Sequence, residues 1–276
     1  MTLEYSSEED YSKEEEEGYM PIAFTEEGEV AYYKPPDVEE MRALPPTKRR
    51  SVLAKLARKQ RITSESGSVW MPDFLSLGRI TLFIPAPPNA GKSFFAARVL
   101  DSLPEDFNVL LFTALTEEDE NFKDLKQPLF RVKMTPETLS KINLESLRAR
   151  GSNILLLFDD FDNIPKGRVL NEVQRILHDV LANGRAHSGG DERNVHVIVT
   201  THILNDYMKT KYITENCDYI AFFPQSTTFC QLLRLGMKVG LSQAQISKLR
   251  ASRERVCIMH KVSPLIMFEG TSIETI

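Results

Sequence analysis

The chain has 276 residues, 42% hydrophobic and 26% charged, with a formal net charge of −5 and three cysteines. That is enough apolar material for one sizeable core plus an appendage. No run approaches the ~18 uncharged apolar residues of a membrane span. The acidic N-terminus is also the opposite of a secretory signal, so the expectation is a soluble, intracellular protein with no integral membrane segment. Cys217, Cys230 and Cys257 are odd in number and show no paired ligand spacing, and are read as core thiols with neither disulfide nor zinc.

Charge is distributed unevenly along the chain. Residues 1–45 hold 14 Asp and Glu against 3 Lys and Arg, so the remainder is net positive. This acidic segment, with its Glu14–Glu17 run and Pro35-Pro36, has too little periodic apolar content to fold alone and is expected to be disordered. Seven basic residues and no acidic one follow between Lys48 and Arg61. Leu53, Leu56 and Ala57 share a helical face there, which predicts a short basic amphipathic helix within 47–61. It is either a solvated linker or a contact for nucleic acid, an acidic partner or the acidic tail itself. The expected division is an arm over 1–66 and a folded domain over 67–276.

From residue 67 onward, short apolar runs alternate with helical stretches, as in a mostly parallel sheet covered on both faces. The predicted strands are 80–84, 109–113, 154–158, 195–200 and 219–223. Helices are predicted over 92–101, 136–148, 169–183, 203–212, 229–235 and 242–252, and a hairpin over 255–260 and 264–268 extends the sheet.

The first predicted strand runs into Pro85-Ala86-Pro87-Pro88-Asn89-Ala90-Gly91-Lys92-Ser93-Phe94. A loop that follows a strand and opens a helix turns its backbone N–H groups toward phosphate. In this pattern Lys92 neutralises the β and γ oxygens and Ser93 coordinates Mg2+. A Gly-Lys-Ser/Thr triplet occurs by chance in roughly one chain in ten of this length, so the flanking strand and helix carry the assignment. Ala86 stands where a glycine normally opens the loop, and three prolines stiffen it. Ala86 through Phe94 are the expected nucleotide-binding residues, with ATP and Mg2+ as the ligands.

The apolar run Ile154–Phe158 ends in Asp159 and Asp160, and ligands collect at the C-terminal ends of such buried strands. Asp159 is expected to hold Mg2+ opposite Ser93, and Asp160 to polarise the attacking water. A complete strand, Val109–Thr113, lies between the phosphate loop and these acids, so their strand need not adjoin the loop strand. The extra strand and second acid point to the mechanical ATPase branch and away from kinases and GTPases. Thr200, ending the 195–200 strand, is a candidate γ-phosphate sensor, competing with an ordinary helix cap at Thr201. His202 is either a sensor or a neutral surface residue. Arg185, in the Gly-rich loop after the long helix, is a candidate to reach a neighbouring subunit's phosphate.

In order, these motifs resemble the DNA-packaging ATPases of poxviruses and other large DNA viruses, within the FtsK–HerA superfamily. Residues 85–93, Leu110-Leu111-Phe112-Thr113, Leu155–Asp160, Gly184-Arg185 and 216–223 carry the resemblance, which spans roughly 78–268. It implies a RecA-like P-loop NTPase fold and a homo-oligomeric ring. It further implies ATP hydrolysis that drives double-stranded DNA into a preformed capsid, with capsid proteins as partners and the host cytoplasm or the virion as the setting. Ala86 in place of Gly and Thr200 in place of Gln depart from the family pattern. The rivals are a cellular or phage DNA-pumping or helicase-loading ATPase and a non-hydrolysing nucleotide-dependent scaffold.

Overall fold

The computed structural model describes residues 3–6, 19–34, 45, 48, 60–75, 78–116, 119–150, 153–185, 194–202, 207–261 and 265–275. Near the N-terminus run β1 (Leu3–Ser6), β2 (Met20–Phe24), β3 (Val30–Tyr33), β4 (Arg61–Thr63) and β5 (Met71–Pro72). Then come β6 (Thr81–Pro85), α1 (Lys92–Asp101), β7 (Asn108–Phe112), β8 (Leu129–Arg131), α2 (Pro136–Leu139) and α3 (Leu144–Arg148). The middle of the chain forms β9 (Ile154–Phe158), α4 (Arg168–Asn183), β10 (Val195–Thr201), α5 (Tyr207–Asn216) and β11 (Tyr219–Phe222). It ends in α6 (Phe229–Lys238), α7 (Gln243–Ala251), β12 (Cys257–His260), β13 (Ile266–Glu269) and β14 (Ser272–Thr275).

Ten strands form one sheet in the order β4-β14-β13-β12-β11-β6-β10-β9-β7-β8. The six from β11 to β8 are parallel, and the other four add antiparallel beyond β11. The parallel strands are continuous apolar runs because both their faces are covered. In β9, Leu155 and Leu157 pack with the α1 side of the sheet, while Ile154, Leu156 and Phe158 pack with the α4, α6 and α7 side. α4 buries the stripe Val173, Ile176, Leu177, Val180 and Leu181, each such side chain stabilising the fold by about 1.5–3 kcal/mol. β10 lies between β6 and β9, so the strand carrying the two acids does not touch the strand that feeds the phosphate loop. β7, expected as the inserted strand, lies on the far side of β9.

Three expectations change, and a fourth falls outside the described residues. The N-terminal arm is not wholly unstructured: among its described residues, β2 and β3 form a hairpin that pairs with β1 and β5 in a second, four-stranded sheet. Ile22, Ala31 and Tyr32 are buried in it. The Glu29 carboxylate fastens this hairpin by accepting hydrogen bonds from Ser64, Ser66 and the Glu65 amide. A boundary at residue 66 therefore cuts through packed structure. The basic helix lies outside the described residues apart from Lys48, Gln60 and Arg61, and Arg61 belongs to β4. The helix predicted over 136–148 is two short ones, because Asn143 and Ser146 form a capping box that starts a new helix. Of the three cysteines, Cys217 and Cys257 are buried with thiols pushed up to about 12 by burial, whereas Cys230 is exposed. Among the described residues, no helix is long and apolar enough to cross a membrane.

Candidate active site

The C-terminal ends of β6, β10 and β9 meet at one edge of the sheet, and the phosphate loop leaves β6 there. The Ala86 amide donates to the Thr201 carbonyl at 3.0 Å, joining the start of the loop to the end of β10. Left-handed backbone occurs at Asn89 (φ 60°) and Gly91 (φ 97°) and not at Ala86. The turn therefore draws on two later positions, and the missing first glycine costs no strain. Ala86 is itself fully buried against the core.

Gly91 caps α1, whose first residue is Lys92. The helix N-terminus thus aims unpaired N–H groups and a positive dipole end at the loop. Lys92 is only 5% exposed, and its ammonium donates to the Pro87 carbonyl at 3.3 Å and faces Asp160 Oδ1 at 3.9 Å. Burial pulls Lys92 below the usual lysine range, while Asp160, Asp159 and Asp162 pull the other way. With one hydrogen bond among the described residues, the ammonium keeps donor capacity for an anion. Ser93 is half-buried on the first turn and Phe94 is exposed beside it.

Asp159 follows directly on β9, its amide tied to the Phe112 carbonyl at 2.9 Å, and it is 2% exposed. Burial first, then the neighbouring Asp160, push its carboxyl up to about 6, against the Thr200 hydroxyl and Lys92. Asp160 sits at φ 46°, in the left-handed region, a conformation that costs energy and collects at functional sites. Its Oδ1 is buried with no hydrogen bond among the described residues.

Thr200 sits between the two acids. Its hydroxyl donates to Asp159 Oδ1 at 3.0 Å and accepts from the Asp160 amide at 2.8 Å. A hydroxyl has one proton to give, so in this geometry Thr200 holds the acids and does not offer that proton to a phosphate. The residue left undecided by the sequence is the better placed: His202 Nε2 is 3.4 Å from Asp160 Oδ1. Asp162 anchors it by accepting the His202 amide hydrogen bond at 2.9 Å. Its position just beyond the apolar run of β10 was the available signal. Beside Asp159 a cavity of about 370 Å3 opens over the paired strands β7 and β8, against the segment that connects them, lined in part by Thr113, Asp119 and Arg131.

Arg185 is not part of this cluster. It pairs with Asp218 at 3.8 Å, ahead of β11, and lies just past the end of α4, where the Val195 amide donates to Gly184. Both points are at the N-terminal ends of the parallel strands, across the sheet from the phosphate loop of the same chain.

Among the described residues, no group of three or more His, Cys, Asp or Glu could hold a metal. Mg2+ does not require one, since it binds through one or two carboxylates together with substrate phosphates and water. A buried carboxylate, a second one with an oxygen lacking a hydrogen bond, and a serine on the first turn of α1 suit that donor set.

Fold and site define a class: a P-loop NTPase of RecA-like strand order with paired acids on a strand one removed from the loop strand. No protein-family model matches the chain. It is similar to "Uncharacterized protein V3" of Sputnik virophage, 31% identical over 124 residues, 44% of this chain and 48% of that protein. The chain thus spans about half the length of the curated relative it matches. Among solved structures, the pCW3 conjugation coupling protein TcpA gives a TM-score of 0.43 at 9% identity, covering 91% of this chain and 76% of that one. A type III secretion ATPase of pathogenic bacteria gives 0.34 at 14% identity, covering 58% and 55%. Scores this low carry no argument about function. The motif order is the one on which the sequence resemblance rests, and the matched relative is a virophage protein.

Proposed function

We propose that this chain is a Mg2+-dependent ATPase that works as a homo-oligomeric ring and drives double-stranded DNA into a viral capsid. The observation that supports it most is the convergence of Lys92, Asp159 and Asp160 at one sheet edge, with Thr200 bridging the acids. A simple phosphate-binding loop needs no such second acid, whereas hydrolysis needs a base for water.

In this reading the loop amides and Lys92 cradle the β- and γ-phosphates. Ser93 and Asp159 would hold Mg2+, which would neutralise charge building on the phosphate oxygens. Asp160 accepts a proton from water, the hydroxide oxygen bonds to the γ-phosphorus, and the bond to the β–γ bridging oxygen breaks to leave ADP and phosphate. Thr200 fixes the Asp159 carboxylate and the Asp160 backbone, and His202 steadies the Asp160 carboxylate. Arg185, exposed and remote from its own loop, serves a neighbouring subunit, where its positive fork meets the γ-phosphate. The virophage relative supports a viral setting; in this reading the protein works at the assembly site in the host cytoplasm and in the virion. The absence of left-handed strain at Ala86 removes the main reason to favour a non-hydrolysing scaffold.

The test is phosphate release with and without double-stranded DNA, coupled to particle size. The expected result is turnover stimulated by DNA in a ring-sized species. Turnover without DNA response would leave an ATPase and remove the translocation reading, and no turnover under any condition would favour the scaffold.

A further inference from the structure

Lys92 and the two acids occupy the β10 side of the phosphate loop, and a second set of side chains occupies the other. β12 pairs with β11, and Phe222 is opposite Cys257, so the residues entering β12 arrive beside the loop from across the sheet. Arg255 is among them. Its Nε donates to the Ala90 carbonyl at 3.4 Å, and its guanidinium lies over the Phe94 ring at 5.4 Å. A Cβ added at Gly91 would collide with Arg255 Nη2, which shows how closely the guanidinium covers the loop. Phe94 is 48% exposed, an apolar ring left in solvent next to a loop that otherwise binds phosphate. Behind it is a cavity of about 190 Å3 lined by Val69, Trp70, Met71, Phe94, Phe95 and Arg255, among others. The first three come from the β5 segment, which pairs with the N-terminal hairpin.

Resting on the ATP-site reading above, we propose that Phe94 and Arg255 form the nucleoside seat, with the base stacked on this planar pair. A nucleoside triphosphate whose γ end lies at Lys92 and Asp160 must send its base away from them. On that side the loop is flanked by a guanidinium plane, an exposed aromatic ring and an apolar cavity. These are the surfaces on which bases stack without hydrogen-bond readout. The seat therefore binds purine bases with little discrimination between adenine and guanine, and the N-terminal sheet walls it.

The experiment compares equilibrium binding of two probes, Mg-ATP and Mg-tripolyphosphate, to wild type, Phe94→Ala, Arg255→Ala and Lys92→Ala. Phe94→Ala and Arg255→Ala are expected to weaken ATP binding about tenfold or more while leaving tripolyphosphate within twofold, and Phe94→Tyr should restore ATP affinity. Lys92→Ala should weaken both probes. Equal weakening of both probes by Arg255→Ala would make it a phosphate contact and overturn the seat. Unchanged ATP affinity in both variants would also overturn it, with the phosphate loop reading intact. Wild-type protein that binds neither probe, or Lys92→Ala that binds both as wild type does, would instead sink the ATP site itself and the seat with it.

Discussion

The two ends of the parallel strands bury charge in opposite ways. At the N-terminal end, Arg79 is 3% exposed, and its guanidinium donates to the carbonyls of Val180, Leu181 and Val195. It closes the last turn of α4 onto the start of β10, and a side chain at Gly184 would collide with it. Nearby, buried His196 accepts the Ile80 amide hydrogen bond at 3.0 Å, and burial pushes its ring down to about 4, neutral near pH 7. At the C-terminal end, Lys92 has one carbonyl, Asp159 is crowded by Asp160, and Asp160 holds a left-handed backbone. Charge met by several backbone carbonyls, as at Arg79, fastens the fold. Charge facing like charge, with capacity to spare, costs stability and is kept for a ligand.

This contrast yields graded predictions. Lys92→Ala should abolish ATP binding, a loss of about a thousandfold or about 4 kcal/mol, with melting temperature unchanged or raised. A large fall in melting temperature would mean Lys92 is structural. Arg79→Met should do the reverse. Orphaning its carbonyls costs roughly 3 kcal/mol, a drop of roughly 6–12 °C for a chain of this size, with ATP affinity retained in the folded fraction. Thr200→Val should weaken Mg2+-dependent ATP binding roughly 10- to 100-fold through misdirected acids. Thr200→Ser should retain it, and equal loss in both variants would argue against the hydroxyl as the acting group.

The smallest effect is in pH dependence, where the two ends oppose each other. Asp159 carries a folded pKa of about 6 against an ordinary 3.8. Between those values the folded state holds more protons than the unfolded one, so this group's contribution to stability falls as pH rises toward 6. His196, pushed down to about 4 from 6.5, has the opposite sign, and its contribution is lost as pH falls from about 6.5 toward 4. Melting of Asp159→Asn across pH 4–8 should exceed wild type above pH 6 and match it near pH 4. A variant less stable at pH 7.5 would contradict the idea that this acid is held at a cost.

Much of the candidate site was legible because strand, loop and acid are contiguous in sequence. The predicted 154–158 strand and the 92–101 helix match the observed bounds, and the antiparallel extension followed the 255–268 pattern, with β14 and β4 added. The Thr200 bridge was not legible, since it joins residues some 40 positions apart through a hydroxyl whose direction only packing decides. The N-terminal hairpin was obscured by its own composition. Its strands are short, acidic residues surround them, and the anchor is a single buried carboxylate, Glu29, reaching the serines at 64 and 66. Arg255 beside Gly91 joins positions far apart in sequence, and no local pattern announces it. The three-residue β8 carries two exposed side chains, too little apolar signal for a strand.

The central claim is that buried, unsaturated charge at the strand ends binds ATP and hydrolyses it through Asp160. Its most direct test is Asp160→Asn, measured for both equilibrium Mg-ATP binding and single-turnover phosphate release. ATP affinity within a few-fold of wild type, with release slowed about a hundredfold or more, is the predicted result. Release at the wild-type rate would contradict the account.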